Sequence, residues 1–286
     1  MTREGKHILS IEGLDVFYGG VQAVRGVSFD VAPGEILGIV GESGSGKSTV
    51  LRTVAGLLGR SGVATGKVIF DGLDLLSMPP REHARLRGHR VSYVFQNPVL
   101  SLDPLFPVSK QFDECLMAHD RAHEGFGGRR AQRSAVASYR ETERSVLAEM
   151  GFSDPDRVLA ARPDQLSGGE CQRVVLAMSV ACDTTLLLAD EPTSALDVAS
   201  QQQVTGLLSR IREQRGTTIV IVSHNIAAIG KIADRIGVMY RGAMVEIGAR
   251  DHVLHSPSHP YTANLIAAVP RTDGSLPRIP EPWKGE

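Results

Sequence analysis

The sequence predicts an α/β fold with a mainly parallel sheet, an N-terminal antiparallel β region and a helical insertion subdomain. Three observations predict it. A fully apolar run, Ile36-Leu37-Gly38-Ile39-Val40, leads into a glycine-rich stretch and then into Thr49–Leu58, whose apolar residues recur at helical spacing. Further on, Leu186–Ala189, Thr218–Val222 and Ile236–Met239 are aliphatic runs of strand length separated by helical stretches, the pattern of parallel strands with crossover helices. Between these regions, from Pro98 to about Pro163, the pattern is mostly helical.

At the start of the chain Leu9, Ile11, Leu14 and Val16, then Val27, Phe29 and Val31, alternate with other residues. Turn signals at Gly19-Gly20 and Pro33-Gly34 make this an antiparallel strand region. Gly66–Gly72 and Val91–Phe95 add two strands, and the helical segment is interrupted by the polar stretch Gly125–Arg130. The expected organisation is a core at residues 8–97 and 164–248, a helical subdomain at about 98–163, a C-terminal segment at 249–270 and a Pro-rich, loose tail at 271–286.

With 286 residues the chain can bury one large core or two modest ones. A formal net charge of −1 offers no basic surface for nucleic acid, so no nucleic-acid partner is expected. No apolar stretch reaches the ~18 residues of a membrane span, and Met1–His7 is not followed by a signal-peptide hydrophobic region. Cys115, Cys171 and Cys182 are widely spaced, which suits a reducing compartment rather than a disulfide framework.

Gly41-Glu42-Ser43-Gly44-Ser45-Gly46-Lys47-Ser48-Thr49 fits G-x-x-x-x-G-K-[ST], a phosphate-binding loop whose glycines let backbone N–H groups close around phosphates. Lys47 would reach the β- and γ-phosphates, and Ser48 would place its hydroxyl on Mg²⁺. Placed between a buried strand and a helix N-terminus, the loop makes this a P-loop NTPase core that binds ATP or GTP. Leu186–Ala189 ends in two carboxylates, Asp190 and Glu191. At the carboxyl edge of a parallel sheet they fit as an acid that holds Mg²⁺ and an acid that polarises the attacking water. Taken alone, such a pair is more often ion-paired or capping; its company with residues 41–49 points to chemistry.

Five elements stand in one order: Gly41–Thr49, Gln96 in Phe-Gln-Asn-Pro, Leu166–Glu170, Asp190–Glu191, and His224 in Val-Ser-His-Asn. Together they resemble the ATPase subunit of ABC transporters, over residues 8–270. The resemblance implies ATP and Mg²⁺ as cofactors and ATP hydrolysis coupled to transport at the cytoplasmic face of the cell membrane. It also implies a head-to-tail dimer with a second ATPase subunit, either a paralogue or a second copy. Further partners would be two membrane permease subunits and, indirectly, a solute-binding protein. Ser167, Gly168, Gly169 and Glu170 would then contact the nucleotide held by the opposite subunit. Tyr18 would stack on adenine, Gln96 would touch Mg²⁺ with Ser48 and Asp190, and His224 would hold the γ-phosphate. Ser194-Ala195-Leu196-Asp197 would form the loop by which the subunits read each other. Plainer readings stand beside these: Ser167 with Glu170 makes an ordinary capping box, Tyr18 an edge residue, and His224 a strand-end residue. The sequence departs from the family at Glu170, where Gln is usual, and at Asn225, where Asp often follows the switch histidine.

A narrower resemblance is to ATPases of peptide and nickel importers. Asn97–Pro104, Met244–Ala249, Ser256-Pro-Ser-His-Pro-Tyr-Thr262 and Ala267–Pro270 carry it. It implies import of peptides or related small solutes, the alternatives being a nickel or metal-chelate importer and an accessory ATPase of a phosphonate-degrading complex. Relatives with an iron–sulfur cluster have cysteines near this end; none follows Cys182 here, so no cluster is expected. Cys115, His119 and His123 share one helix face but lack an evident fourth ligand, so metal binding there is not the expected reading.

Overall fold

The computed structural model describes residues 7–124, 129–182, 184–194 and 196–269, with 121–124 and 129–138 described as backbone only. The polar stretch at 125–128, Ala195, the side chain of His123 and the tail at 271–286 therefore lie outside the described residues. In chain order the strands and helices are β1 (Leu9–Tyr18), β2 (Val21–Val31), β3 (Ile36–Val40), α1 (Lys47–Val54), β4 (Gly62–Phe70), β5 (Leu73–Asp74) and α2 (Pro80–Leu86). Next come β6 (Val91–Val94), α3 (Val108–Glu124), α4 (Arg129–Glu149), α5 (Pro155–Ala160), α6 (Gly168–Val180), β7 (Leu186–Asp190) and α7 (Val198–Arg215). The chain continues through β8 (Thr218–Ser223), α8 (Ile226–Ile229), β9 (Arg235–Tyr240), β10 (Ala243–Ala249), α9 (Arg250–His255) and α10 (Pro260–Ala267). It forms two compact units, Met1–Met78 with Thr218–Glu286, and Pro79–Thr217.

The first unit contains two sheets. One is antiparallel in the order β2-β1-β4-β5. Its alternation is the one visible in sequence: Leu9, Ile11, Leu14 and Val16 face Val24, Val27, Phe29 and Val31 in a common core. The turn after β4 takes φ 45° at Asp71 and φ 82° at Gly72, the pair of positive angles that a tight hairpin twisting with its strands requires. In the other sheet β3 pairs in parallel with both β8 and β9, and β10 adds antiparallel to β9. Every residue of β3 and β8 is buried, which is why both read as unbroken apolar runs rather than alternating ones. At Gly38, in the middle of β3, an added Cβ would come within 2.1 Å of Ile229 Cγ2, so the missing side chain is what lets α8 close on the strand.

α1 starts at Lys47, two residues ahead of the expected Thr49, and it ends at Val54, short of the expected Leu58. The early stop follows from Gly56, which takes φ 66° and turns the chain out of the helix. β10 was not legible as a strand, because it sits half-buried at a sheet edge without clean alternation.

The second unit combines the parallel pair β6–β7 with helices α2 to α7. β7 is buried throughout. α7 is delimited by chemistry: the Asp197 carboxylate accepts from Ser200 N–H at 3.0 Å at its start, and Gly216 takes φ 66° at its end. Between α3 and α4 lies a buried ionic cluster. Arg140 pairs with Asp113 (3.0 Å) and with Glu143, whose side chain is fully buried. Glu143 Oε1 and Asp113 Oδ1 are buried with no other hydrogen-bond partner, and one proton shared between the two carboxyls satisfies both.

Burial, the hydrogen bond that the protonated Glu143 donates to Asp113 and the negative charge of that neighbour outweigh Arg140 and push the Glu143 carboxyl up to about 7. The folded chain thus keeps a proton that the unfolded chain releases near 4.5. Stability contributed by this proton is fully present below 4.5 and is lost as the pH rises towards about 7, with no further change above. Glu143→Gln keeps the shape and stays neutral, so its melting temperature relative to the parent should climb by a few degrees between about pH 5 and about pH 7.5. Thermal melts across that range check this; a constant difference would mean that Glu143 is already ionised in the folded chain at the acid end.

Candidate functional site

In the first unit, the chain leaves β3 at Val40 and wraps through Gly41–Gly46 into α1. A Cβ at Gly41 would lie 2.1 Å from the Met239 carbonyl oxygen, and one at Gly46 2.7 Å from that of Ala23. Only glycine lets the loop pass this close to β9 and β2. Gly46 is the N-cap of α1 with φ 98°, so the N–H groups of the first turn, those of Lys47, Ser48 and Thr49, point out of the helix end where its dipole is positive. Lys47 is 4% exposed. Its ammonium donates to the Gly41 carbonyl (2.8 Å), the Glu42 carbonyl (2.7 Å) and Ser45 Oγ (3.3 Å), which aims the charge along the inside of the loop. Glu42, Ser43 and Gly44 are exposed at the loop's outer turn. A loop of unhindered N–H donors around a buried ammonium suits a polyphosphate by charge and by shape.

Tyr18 closes β1 and lies half-buried opposite Val21 and Gly62, where a Cβ at Gly62 would sit 3.0 Å from its ring. His224 follows β8 and is exposed. Asn225 is the N-cap of α8, its Oδ1 accepting from Ala228 N–H at 3.1 Å. Asn caps as well as Asp does, so this departure from the family pattern preserves the local helix start.

In the second unit, β7 delivers Asp190 and Glu191. Asp190 is 2% exposed and its Oδ2 accepts from the Tyr93 hydroxyl at 2.7 Å. Tyr93 lies on the adjacent strand β6, and sequence reasoning missed it because the two residues are 97 apart. Glu191 takes φ 47°, a left-handed conformation that costs a non-glycine residue roughly 1 kcal/mol. Ser194 holds the turn by donating to the Glu191 carbonyl from both its N–H (3.2 Å) and its hydroxyl (3.1 Å). Glu191 Oε2 in turn accepts from Gln96 Nε2 at 3.2 Å, which joins two of the site residues expected from sequence. Leu196 N–H donates to the Thr193 carbonyl at 3.3 Å, and Asp197 caps α7.

Ser167 begins α6 with a complete capping box. Glu170 N–H donates to Ser167 Oγ at 3.2 Å, and Ser167 N–H donates to Glu170 Oε2 at 2.9 Å. Glu170 also pairs with Arg157, and the Ser167 N–H, ahead of Arg157, holds its carboxyl below the ordinary value. Gly168 and Gly169 form the first helical turn, and a Cβ at Gly169 would meet Ser200 Oγ at 2.8 Å. His119 lies near His89 rather than near a metal-ligand set: His89 Nδ1 is 2.9 Å from His119 Nε2. Among the described residues no group of three or more His, Cys, Asp or Glu is arranged to hold a metal ion.

Within the second unit, the buried Asp190 carboxyl with the Tyr93 hydroxyl bonded to it offers hard oxygen donors of the kind Mg²⁺ takes.

A profile of the family described as "ABC transporter" matches residues 24–194, and one described as "Oligopeptide/dipeptide transporter, C-terminal region" matches residues 245–284. The dipeptide transport ATP-binding protein DppD of Bacillus subtilis is 39% identical over 272 residues, covering 93% of this chain and 78% of that protein. The oligopeptide transport ATP-binding protein OppD of the same organism is 37% identical over 261 residues, covering 90% of this chain and 70% of that protein. Among solved structures, a dimeric ATP-binding cassette in a post-hydrolysis state bound to ADP and Pi superposes with a TM-score of 0.68 at 25% identity, covering 85% of this chain and 98% of that one. This chain belongs to the ABC transporter ATPase family, in its oligopeptide/dipeptide branch.

Proposed function

We propose that this chain is the ATP-hydrolysing subunit that powers an importer for peptides. The observation that carries the reading is a phosphate loop with a buried, inward-aimed Lys47 in the same chain as the oligopeptide/dipeptide C-terminal region. The names of the relatives support peptides over a metal chelate or a phosphonate as the substrate class.

In this reading ATP lies on residues 41–49 with adenine against Tyr18. Lys47 supplies charge to the bound phosphates. Ser48, Gln96 and Asp190 would hold Mg²⁺, which would supply positive charge to offset that of the phosphates. Glu191 orients and polarises the attacking water, and Gln96, hydrogen-bonded to it, ties that carboxylate to the state of its neighbours. His224 steadies the γ-phosphate. The signature Ser167–Glu170 acts on a nucleotide held by a second ATPase subunit, and Ser194–Asp197 lines the contact between the two. The chain works at the cytoplasmic face of the membrane on two permease subunits, and a solute-binding protein serves the importer indirectly. Among the described residues no helix is long and apolar enough to cross a membrane. The permease would dock on the segment after Gln96, where Leu100 is 82% exposed, Leu105 72% and Phe106 38%.

Two expected outcomes test this. Lys47→Ala should weaken ATP binding at least tenfold, whereas Glu191→Gln should bind ATP as the parent does and lose turnover by about two orders of magnitude or more. Titration with a fluorescent ATP analogue and phosphate release by the assembled transporter read both; equal loss of binding in the two variants would remove Glu191 from the hydrolytic role. Leu105→Asp, at an exposed position, should leave ATP binding unchanged and lower transport in reconstituted vesicles by tenfold or more. Normal transport by this variant would place the permease contact elsewhere.

A further inference from the structure

In the C-terminal segment that carries the peptide-importer resemblance, His-Pro-Tyr-Thr reads from sequence as a proline at a helix start with the tyrosine packing back on the sheet. Within the first unit this segment reaches the phosphate loop. The Glu42 N–H donates to the hydroxyl of Tyr261 at 3.2 Å, and Tyr261 is 5% exposed. Its ring packs on Tyr240 at the end of β9, with centroids 4.4 Å apart. Two residues later Gly242 N–H donates to the Ser45 carbonyl at 3.1 Å. The loop is thus gripped at two points, Glu42 and Ser45, by groups of the β9–β10 hairpin and α10.

The Glu42 N–H is half of the peptide unit whose other half is the Gly41 carbonyl, and that carbonyl accepts from the Lys47 ammonium at 2.8 Å. One peptide plane therefore has Tyr261 on its N–H side and Lys47 on its C=O side. A peptide plane held from one side only is free to rotate; held from both, it fixes where the ammonium sits.

Tyr261 is itself held firmly. His259 is the N-cap of α10, its Nδ1 accepting from Tyr261 N–H at 3.1 Å, and Pro260 occupies the first turn. Glu246 on β10 accepts from Ser258 N–H (2.8 Å) and His259 N–H (3.1 Å). Burial pushes the Glu246 carboxyl up, yet these N–H groups prevail and hold it below its ordinary value. Ser256-Pro-Ser-His-Pro-Tyr-Thr262 thus reads as a device for presenting one phenol.

We infer that Tyr261 is a positioning residue for nucleotide binding: its hydroxyl locks the Gly41–Glu42 peptide so that Lys47 is pre-aimed at the phosphates. The C-terminal segment is then a brace for the phosphate loop. This rests on the nucleotide-site reading above.

Tyr261→Phe keeps the ring on Tyr240 and removes only the hydroxyl. ATP affinity of the full chain should fall about fivefold, as expected for losing one hydrogen bond from a preorganised site. The melting temperature should stay within a few degrees of the parent. Amide exchange in residues 41–46 should quicken while that of β1 and β2 is unchanged, and this arm needs no nucleotide. Glu246→Gln, which loosens the seat of α10 rather than the phenol itself, should shift both readings in the same direction. Unchanged affinity and unchanged loop exchange in Tyr261→Phe overturn the proposal. So does a large fall in melting temperature with slow loop exchange, which would assign the hydroxyl to the fold. If the parent and Lys47→Ala bind ATP equally, the nucleotide-site reading fails instead, and loop exchange still decides the brace.

Discussion

A loop that surrounds a polyphosphate with backbone N–H groups must run where side chains would normally lie, and that constraint organises the first unit. At Gly41 the space for a Cβ is occupied by the Met239 carbonyl, and at Gly46 by that of Ala23. The strands β9 and β2 have to pass within touching distance of the loop for these contacts to exist. β3 therefore lies inside its sheet, fully buried, with β8 and β9 on either side. The same closeness turns neighbours into supports, so that Gly242 and Tyr261 can hydrogen-bond the loop directly. Preorganisation of this kind matters energetically because a loop already fixed in its binding shape has little entropy left to lose.

The second unit solves a different problem, how to hold two acids side by side with different duties. Asp190 is the last residue of a buried strand and receives the Tyr93 hydroxyl, so its carboxylate is dry and fixed in direction. Glu191, one residue on, is turned out of the strand by a left-handed backbone that Ser194 ties down from two donors. Alternation along a strand would have sent the two side chains to opposite faces. Glu191 lies beyond the strand's last residue, so its direction is set by the left-handed turn, whose modest cost is offset by the hydrogen bonds around it. A rigid acid paired with a separately steered one suits an ion ligand beside a group that must meet a mobile water.

What the sequence revealed, and what it hid, follows from range. β3, β7 and β8 were legible because burial on both faces leaves an unbroken apolar run. The phosphate loop was legible because its chemistry lies in nine consecutive residues, and the Ser167–Glu170 box because capping is a three-residue relation. α1 ends ahead of its apolar spacing because Gly56, with φ 66°, terminates it. β10 lacked a signal altogether, since a half-buried edge strand places no strict demand on either face. The Tyr93–Asp190 and Tyr261–Glu42 bonds span 97 and 219 residues, and no spacing rule reaches across a fold. Tyr93 carried no signal of its own, and Tyr261 read only as a ring packing back on the sheet. In the case of Tyr261 that reading was strengthened by a proline and a histidine placed to start a helix just there.

The two departures from the family pattern bear on how function and local stability share residues. Asn225 gives up a charge beside His224 but keeps the cap on α8. Glu170 adds a charge at the start of α6, and there the Ser167 N–H, the helix dipole and Arg157 all favour an anion. Each substitution leaves the hydrogen-bond geometry of its helix start intact while changing the charge by one. Backbone geometry is therefore the stricter requirement at these sites, because a helix terminus presents its N–H groups only if its first turn is fixed. Charge is the looser variable, open to tuning by a side chain of another element, as Arg157 on α5 does for Glu170.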